Sequence, residues 1–154
     1  YDCPVFHADD FFLRPEQRTP ARFAEPGGNL DRERLLEEVL APLRQGQPVS
    51  FCRFECHSLT LLPPVAVAPS SLAVVEGSYS LHPDLAPMYD LSVCLTLSPE
   101  LQRRRILARN GEAMARRFFE RWIPLEQAYF DAMKPQTRCG FLIEADQLSD
   151  EAPL

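Results

Sequence analysis

Lysine is nearly absent from this 154-residue chain: Lys134 is the only one, against fifteen arginines, so an arginine-rich stretch carries less weight here than it would in a balanced composition. Long apolar runs are missing as well. None approaches the roughly 18 to 20 residues that span a bilayer, and Tyr1-Asp2-Cys3-Pro4 has neither a basic nor an apolar leader pattern, which argues against a membrane protein. The five cysteines (Cys3, Cys52, Cys56, Cys94, Cys139) are odd in number and scattered, unlike the dense, even framework of small secreted domains. Reduced thiols and a cytoplasmic location are the expectation. Cys52-x-x-x-Cys56-His57 has no second ligand pair apart from the distant His7 and His82, which sets a zinc site aside. No internal repeat or low-complexity tract is visible.

With 45% hydrophobic and 25% charged residues, the composition is that of one soluble globular domain with a real core, taken as residues 1–154. A net charge of -6 speaks against a general nucleic-acid or membrane-surface binder. The basic residues are unevenly placed, however: Arg103, Arg104, Arg105, Arg109, Arg116, Arg117 and Arg121 crowd one stretch, which keeps a local anion site open.

Apolar runs predict strands at Pro4 to Ala8, Leu72 to Gly77, Leu91 to Leu97 and Gly140 to Ala145. Prolines and paired glycines make Arg14 to Asn29 a loop. Asp31 is a plausible N-cap for a helix carrying Leu35, Leu36, Val39, Leu40 and Leu43, with Gly46 after it. Residues 48–68 suggest a small hairpin-like excursion. Ser98-Pro99-Glu100 opens a helix expected to stop near Gly111, and a second runs from about Glu112 to Met133 with a break near Pro124. Strands alternating with helices predict an α/β domain with a mainly parallel sheet.

In such sheets ligands bind at the carboxyl ends of the strands, where Asp9-Asp10 and Glu76 fall. An acid followed by glycine at a strand end suits magnesium, a hard cation that wants oxygen ligands, and a neighbouring carboxylate suits a general base. The same acids also serve as loop acids or helix caps. Arg105 and Arg109 share a helix face, as do Arg117 and Arg121, either as an anion site or as a solvated face paired with Glu112 or Glu120.

Four segments occur in the order found in bacterial uridine kinase-like proteins. They are His7-Ala8-Asp9-Asp10-Phe11-Phe12-Leu13, Val74 to Pro83, Arg105 to Gly111, and Trp122-Ile123-Pro124-Leu125-Glu126 with Tyr129. The Asp-Asp-Phe-Phe element also resembles nicotinamide riboside kinase. The resemblance implies a P-loop kinase fold and transfer of the ATP γ-phosphoryl group to a hydroxyl of a small, nucleoside-like acceptor, with Mg2+. It implies Asp9 as the general base, with Asp10 the lesser candidate, and Glu76 as the acid near magnesium. Asp31 resembles an acid that binds ribose hydroxyls, its plain N-cap role standing beside that one. Phe54-Glu55 takes the place of a Tyr-Asp pair that covers the nucleobase in uridine kinases, a departure that puts uridine itself in question. Arg104, Arg105 and Arg109, in a lid spanning 103–121, resemble the residues that close over the ATP phosphates. The expected partners are ATP and the acceptor, with self-association into a homo-oligomer left open.

The pattern Gly-x-x-x-x-Gly-Lys-[Ser/Thr], whose backbone amides and lysine cradle phosphates, has no match in these residues. In the resembled family it precedes the Asp-Asp-Phe strand. The strand feeding it lies between the strand ending at Glu76 and the strand at Leu91 to Leu97. The expectation is therefore a segment before Tyr1 that supplies it, no direct pairing between those two strands, and poor behaviour of the 154 residues alone. The rivals are a non-catalytic nucleotide- or ligand-binding regulatory protein on the same scaffold and a hydrolase that transfers to water.

Overall fold

The structure, a computed structural model, describes residues 2–147; Tyr1 and 148–154, the two ends of the predicted 1–154 domain, lie outside the described residues. The chain forms two compact units, Tyr1–Asp90 and Leu91–Leu154. Among the described residues no helix is long and apolar enough to cross a membrane.

The first unit opens with β1 (Val5–His7), followed at once by a 3-10 turn, Ala8–Phe11. Only Phe6 of β1 is buried, so the strand is covered on one face. Residues 14–29 are more ordered than a proline-rich loop. Pro15 and Pro20 start short helical segments, Pro15–Gln17 and α1 (Pro20–Ala24), because proline's fixed φ and missing N–H suit a helix's first turn. Thr19 caps α1 by accepting from the Arg22 amide at 3.1 Å.

Asp31 caps α2 (Arg32–Leu35), as its position predicts, and the helix continues through a π-helical turn (Leu36–Leu40) into α3 (Ala41–Arg44). β2 (Val49–Phe51), β3 (Phe54–Glu55), β4 (Thr60–Leu61) and β5 (Val65–Val67) then build the excursion predicted at 48–68: β2 pairs antiparallel with β5, and β3 with β4. β6 (Val74–Glu76) returns to pair parallel with β1 in the register Val5↔Val74, Phe6↔Val75, His7↔Glu76. Phe51 stands edge-on to Phe6 at 5.5 Å and is stacked with Phe11 at 5.6 Å, and Leu30, Leu35, Val39, Val49 and Leu85 are buried in the same unit. Each large apolar side chain so covered contributes about 1.5–3 kcal/mol against the unfolded chain.

The second unit pairs β7 (Val93–Thr96) parallel with β8 (Phe141–Glu144). Between them run α4 (Pro99–Arg117), a π-helical turn (Phe118–Trp122) and α5 (Ile123–Met133). Gly111 breaks α4 at φ 70°, ψ 170°, where a helix stop is expected, but the chain resumes helix immediately. Pro124 sits in the first turn of α5 and so begins that helix rather than breaking one. Cys94, Ile106, Ala115 and Tyr129 are buried, and burial pushes the Tyr129 hydroxyl well above its ordinary pKa. Leu95, Phe141, Leu142 and Ile143 are exposed, whereas the apolar run Leu91 to Leu97 reads as a strand buried on both faces.

Each ladder is a separate two-stranded sheet. β6 takes β1 as its partner within the first unit, and β7 takes β8 within the second.

Candidate functional site

Because β1 and β6 run parallel and in register, their carboxyl ends meet at one edge. His7 and Glu76 are ladder partners there, and the His7 Nδ1 hydrogen-bonds the Glu76 Oε1, with both side chains more than half exposed. The next residue on β6 is Gly77, at φ 137°. A Cβ on it would lie 2.6 Å from the Ala8 side chain, so only glycine lets the two strand ends approach this closely. That approach places the turn bearing Asp9 and Asp10 beside Glu76.

Asp9 is exposed and Asp10 half-buried. Burial pushes the Asp10 carboxyl above the ordinary carboxylate range, against the opposing pull of Arg53, His7 and Arg34. The two neighbours thus differ in environment, with Asp9 the one presented to solvent.

Behind the turn lies a buried polar cluster. Asp31 is 2% exposed; its carboxylate accepts from the Arg34 amide at 3.2 Å and from Gln17 Nε2 at 2.9 Å. The structure thus gives Asp31 the N-cap role, with its oxygens engaged inside the fold. Its own amide donates to the Phe11 carbonyl at 2.7 Å, tying the start of α2 to the turn. Arg34 is also buried and donates to the carbonyls of Asp10 and Cys52.

The excursion brings Phe54 and Glu55 into the same unit. Phe54 is buried, with the Arg18 guanidinium 5.5 Å from its ring centroid. Glu55 turns to its own hairpin, accepting from the Ser58 amide at 2.6 Å, and this bond holds its carboxyl below the usual range. A shallow pocket bordered by Gln17, Thr19, Arg22, Glu25 and Glu33 contains none of the predicted site residues.

Arg104, Arg105 and Arg109 lie on α4 in the second unit. Arg104 and Arg109 are exposed and Arg105 half-buried. Arg109 lies over the Phe118 ring at 5.8 Å and Arg103 over Phe119 at 4.3 Å, across the Gly111 break. Asp146, held below its usual pKa chiefly by the Ser98 amide it accepts from at 2.8 Å, also feels the Arg105 charge. Arg116 pairs with Glu120 at 3.0 Å, the surface pairing that helical spacing allows.

The structure therefore gathers Asp9, Asp10, Glu76 and the Phe54–Glu55 hairpin on one unit and carries the arginines on the other. Sequence reasoning did not single out His7 as Glu76's partner, nor Arg34, Arg53 and Gln17. The spacing of Asp31, Arg34 and Glu38 on one helix face was the available signal for Arg34. Among the described residues no cluster of three or more metal-ligating side chains forms.

No protein-family model and no curated protein sequence matches the chain. Among solved structures it is similar to that of a possible uridine kinase from Bacillus stearothermophilus, at 18% identity and a TM-score of 0.66, covering 92% of this chain and 72% of that one. The chain shares the α/β fold of that structure.

Proposed function

We propose that this protein is an ATP-dependent kinase that transfers the γ-phosphoryl group to a hydroxyl of a small, nucleoside-like metabolite. One observation carries the proposal: the parallel ladder β1–β6 delivers Asp9, Asp10 and Glu76 to a single strand-end edge, closed by Gly77, on a fold similar to that of a possible uridine kinase. Carboxylates at this edge are what phosphoryl transfer to an alcohol requires, one to take the acceptor's proton and one to neutralise charge through a metal.

Asp9, which faces solvent, accepts the acceptor's hydroxyl proton. Glu76 fits Mg2+, since an exposed carboxylate at a strand end offers hard oxygen donors; His7 on one oxygen orients it. The Phe54–Glu55 hairpin is assigned to the acceptor side, while Asp31, its carboxylate engaged by Arg34 and Gln17, supports that side from within the fold as the N-cap of α2; Arg104, Arg105 and Arg109 are assigned to the ATP phosphates, where fixed positive charge stabilises the transferring group. ATP, when bound, supplies the phosphoryl group, and Mg2+ screens its charge.

A non-catalytic nucleotide- or ligand-binding protein on the same scaffold is the second reading. The deciding experiment is Asp9→Asn in the full gene product, assayed with Mg-ATP and uridine, cytidine or nicotinamide riboside as acceptor. Turnover is expected to fall by roughly 10²- to 10⁴-fold with ATP affinity little changed. Unreduced turnover removes Asp9 from the chemistry, and wild-type protein that binds nucleotide but transfers to none of these acceptors favours the second reading.

A further inference from the structure

Arg34 has no role in that chemistry, yet its surroundings are unusual for a helix arginine. It is 7% exposed, and its guanidinium lies 4.5 Å from the Phe11 ring centroid. Nη2 donates to the Asp10 carbonyl at 2.9 Å, and Nη1 donates to the Cys52 carbonyl. Two carboxylates balance the charge, Asp31 and Glu38, each 3.5 Å away, and Glu38 also accepts from the Cys52 amide at 3.1 Å.

These contacts join three segments that are distant in sequence. The Asp10 carbonyl belongs to the turn that carries Asp9, while Cys52 lies two residues before β3 (Phe54–Glu55) of the excursion. A planar guanidinium with several donors in fixed directions can grip two carbonyls at once while its face packs on a ring; an ammonium on a flexible stem cannot. We infer that Arg34 is a positioning residue that locks the Asp9 turn and the Phe54–Glu55 hairpin at a fixed separation, so that the base and the acceptor it serves are held in register. The inference rests on the kinase proposal for its catalytic consequence. A misplacement of about 1 Å between reacting groups can lower a rate on the order of 10²-fold, which makes such a lock consequential.

The test compares Arg34→Lys with Asp9→Asn in the full gene product, using Mg-ATP and the same nucleoside acceptors. Arg34→Lys keeps the charge that Asp31 and Glu38 need but loses the fork. It is expected to lower kcat by about 10- to 10²-fold with KM for ATP unchanged. Hydrogen exchange is expected to rise together in peptides covering 8–12 and 52–55. A folded Arg34→Lys protein with wild-type kcat, beside an Asp9→Asn protein that has lost turnover, overturns the inference and leaves the kinase proposal standing. Unchanged turnover in Asp9→Asn overturns the proposal itself. Should Arg34→Lys not fold, exchange in the unmodified protein decides: the two segments are expected to open with the same free energy, and unequal protection overturns the lock.

Discussion

Arg34 and Arg109 both lie against a phenylalanine ring of their own unit, at 4.5 and 5.8 Å, and both sit in helices where charge recurs at intervals of three and four residues. One is buried between two carboxylates and two carbonyls; the other is exposed beside a helix break. The contrast extends to the units that hold them. The first encloses Phe51 in contact with both Phe6 and Phe11, whereas the second leaves Leu95, Phe141 and Leu142 more than half exposed on a two-stranded ladder. Arginine spacing and apolar runs therefore look alike in the two halves of the chain, while burial separates them. A buried arginine fixes geometry, and an exposed one remains available to a ligand.

The contrast should show most strongly in the cores. Phe51→Ala removes the ring that touches both Phe6 and Phe11, and a loss of about 3–5 kcal/mol is expected in chemical denaturation. A loss under about 1 kcal/mol would mean that the first unit is no better packed than the second.

A smaller effect is expected from His82, which is buried and accepts at Nδ1 from the Asp84 amide at 3.2 Å. Burial, reinforced by the nearby Arg32, holds its pKa below the ordinary 6.5, with Asp84 opposing. Below pH 6.5 the unfolded chain therefore binds a proton that the folded one resists, so stability falls as pH drops through that window. The slope is at most about 1.4 kcal/mol per pH unit for one group. His82→Asn keeps an acceptor near Nδ1 and should flatten it; an unchanged slope in thermal melts between pH 5 and 7 would assign the effect to another group.

Leu95→Thr is the smallest. The side chain is 62% exposed and threonine suits a strand, so stability should stay within about 0.5 kcal/mol of wild type. A loss comparable to that of Phe51→Ala would show that Leu95 is covered in solution.

Local signals had most force where a residue acts on its own neighbours. Asp31 as N-cap, Gly111 as a helix interruption, the excursion at 48–68 and all four main strands follow from spacing and turn chemistry, and the ladders β1–β6 and β7–β8 are parallel as alternation predicts. Proline misled at Pro15, Pro20 and Pro124, since the same ring that ends one helix starts another and only the downstream hydrogen bonds distinguish the cases.

The α/β class, the four main strands and the acids at their ends were legible in the residues alone, because periodicity, caps and strand termini depend on residues a few positions apart. Only the tertiary structure decided that Asp10 is partly buried while Asp9 faces solvent, that His7 holds Glu76, and that Arg34 bridges Asp10 to Cys52. Burial and long-range pairing are properties of the whole packed unit: an arginine's desolvation depends on carboxylates and carbonyls that the chain brings back from up to 24 residues away, as with Asp10 and Arg34.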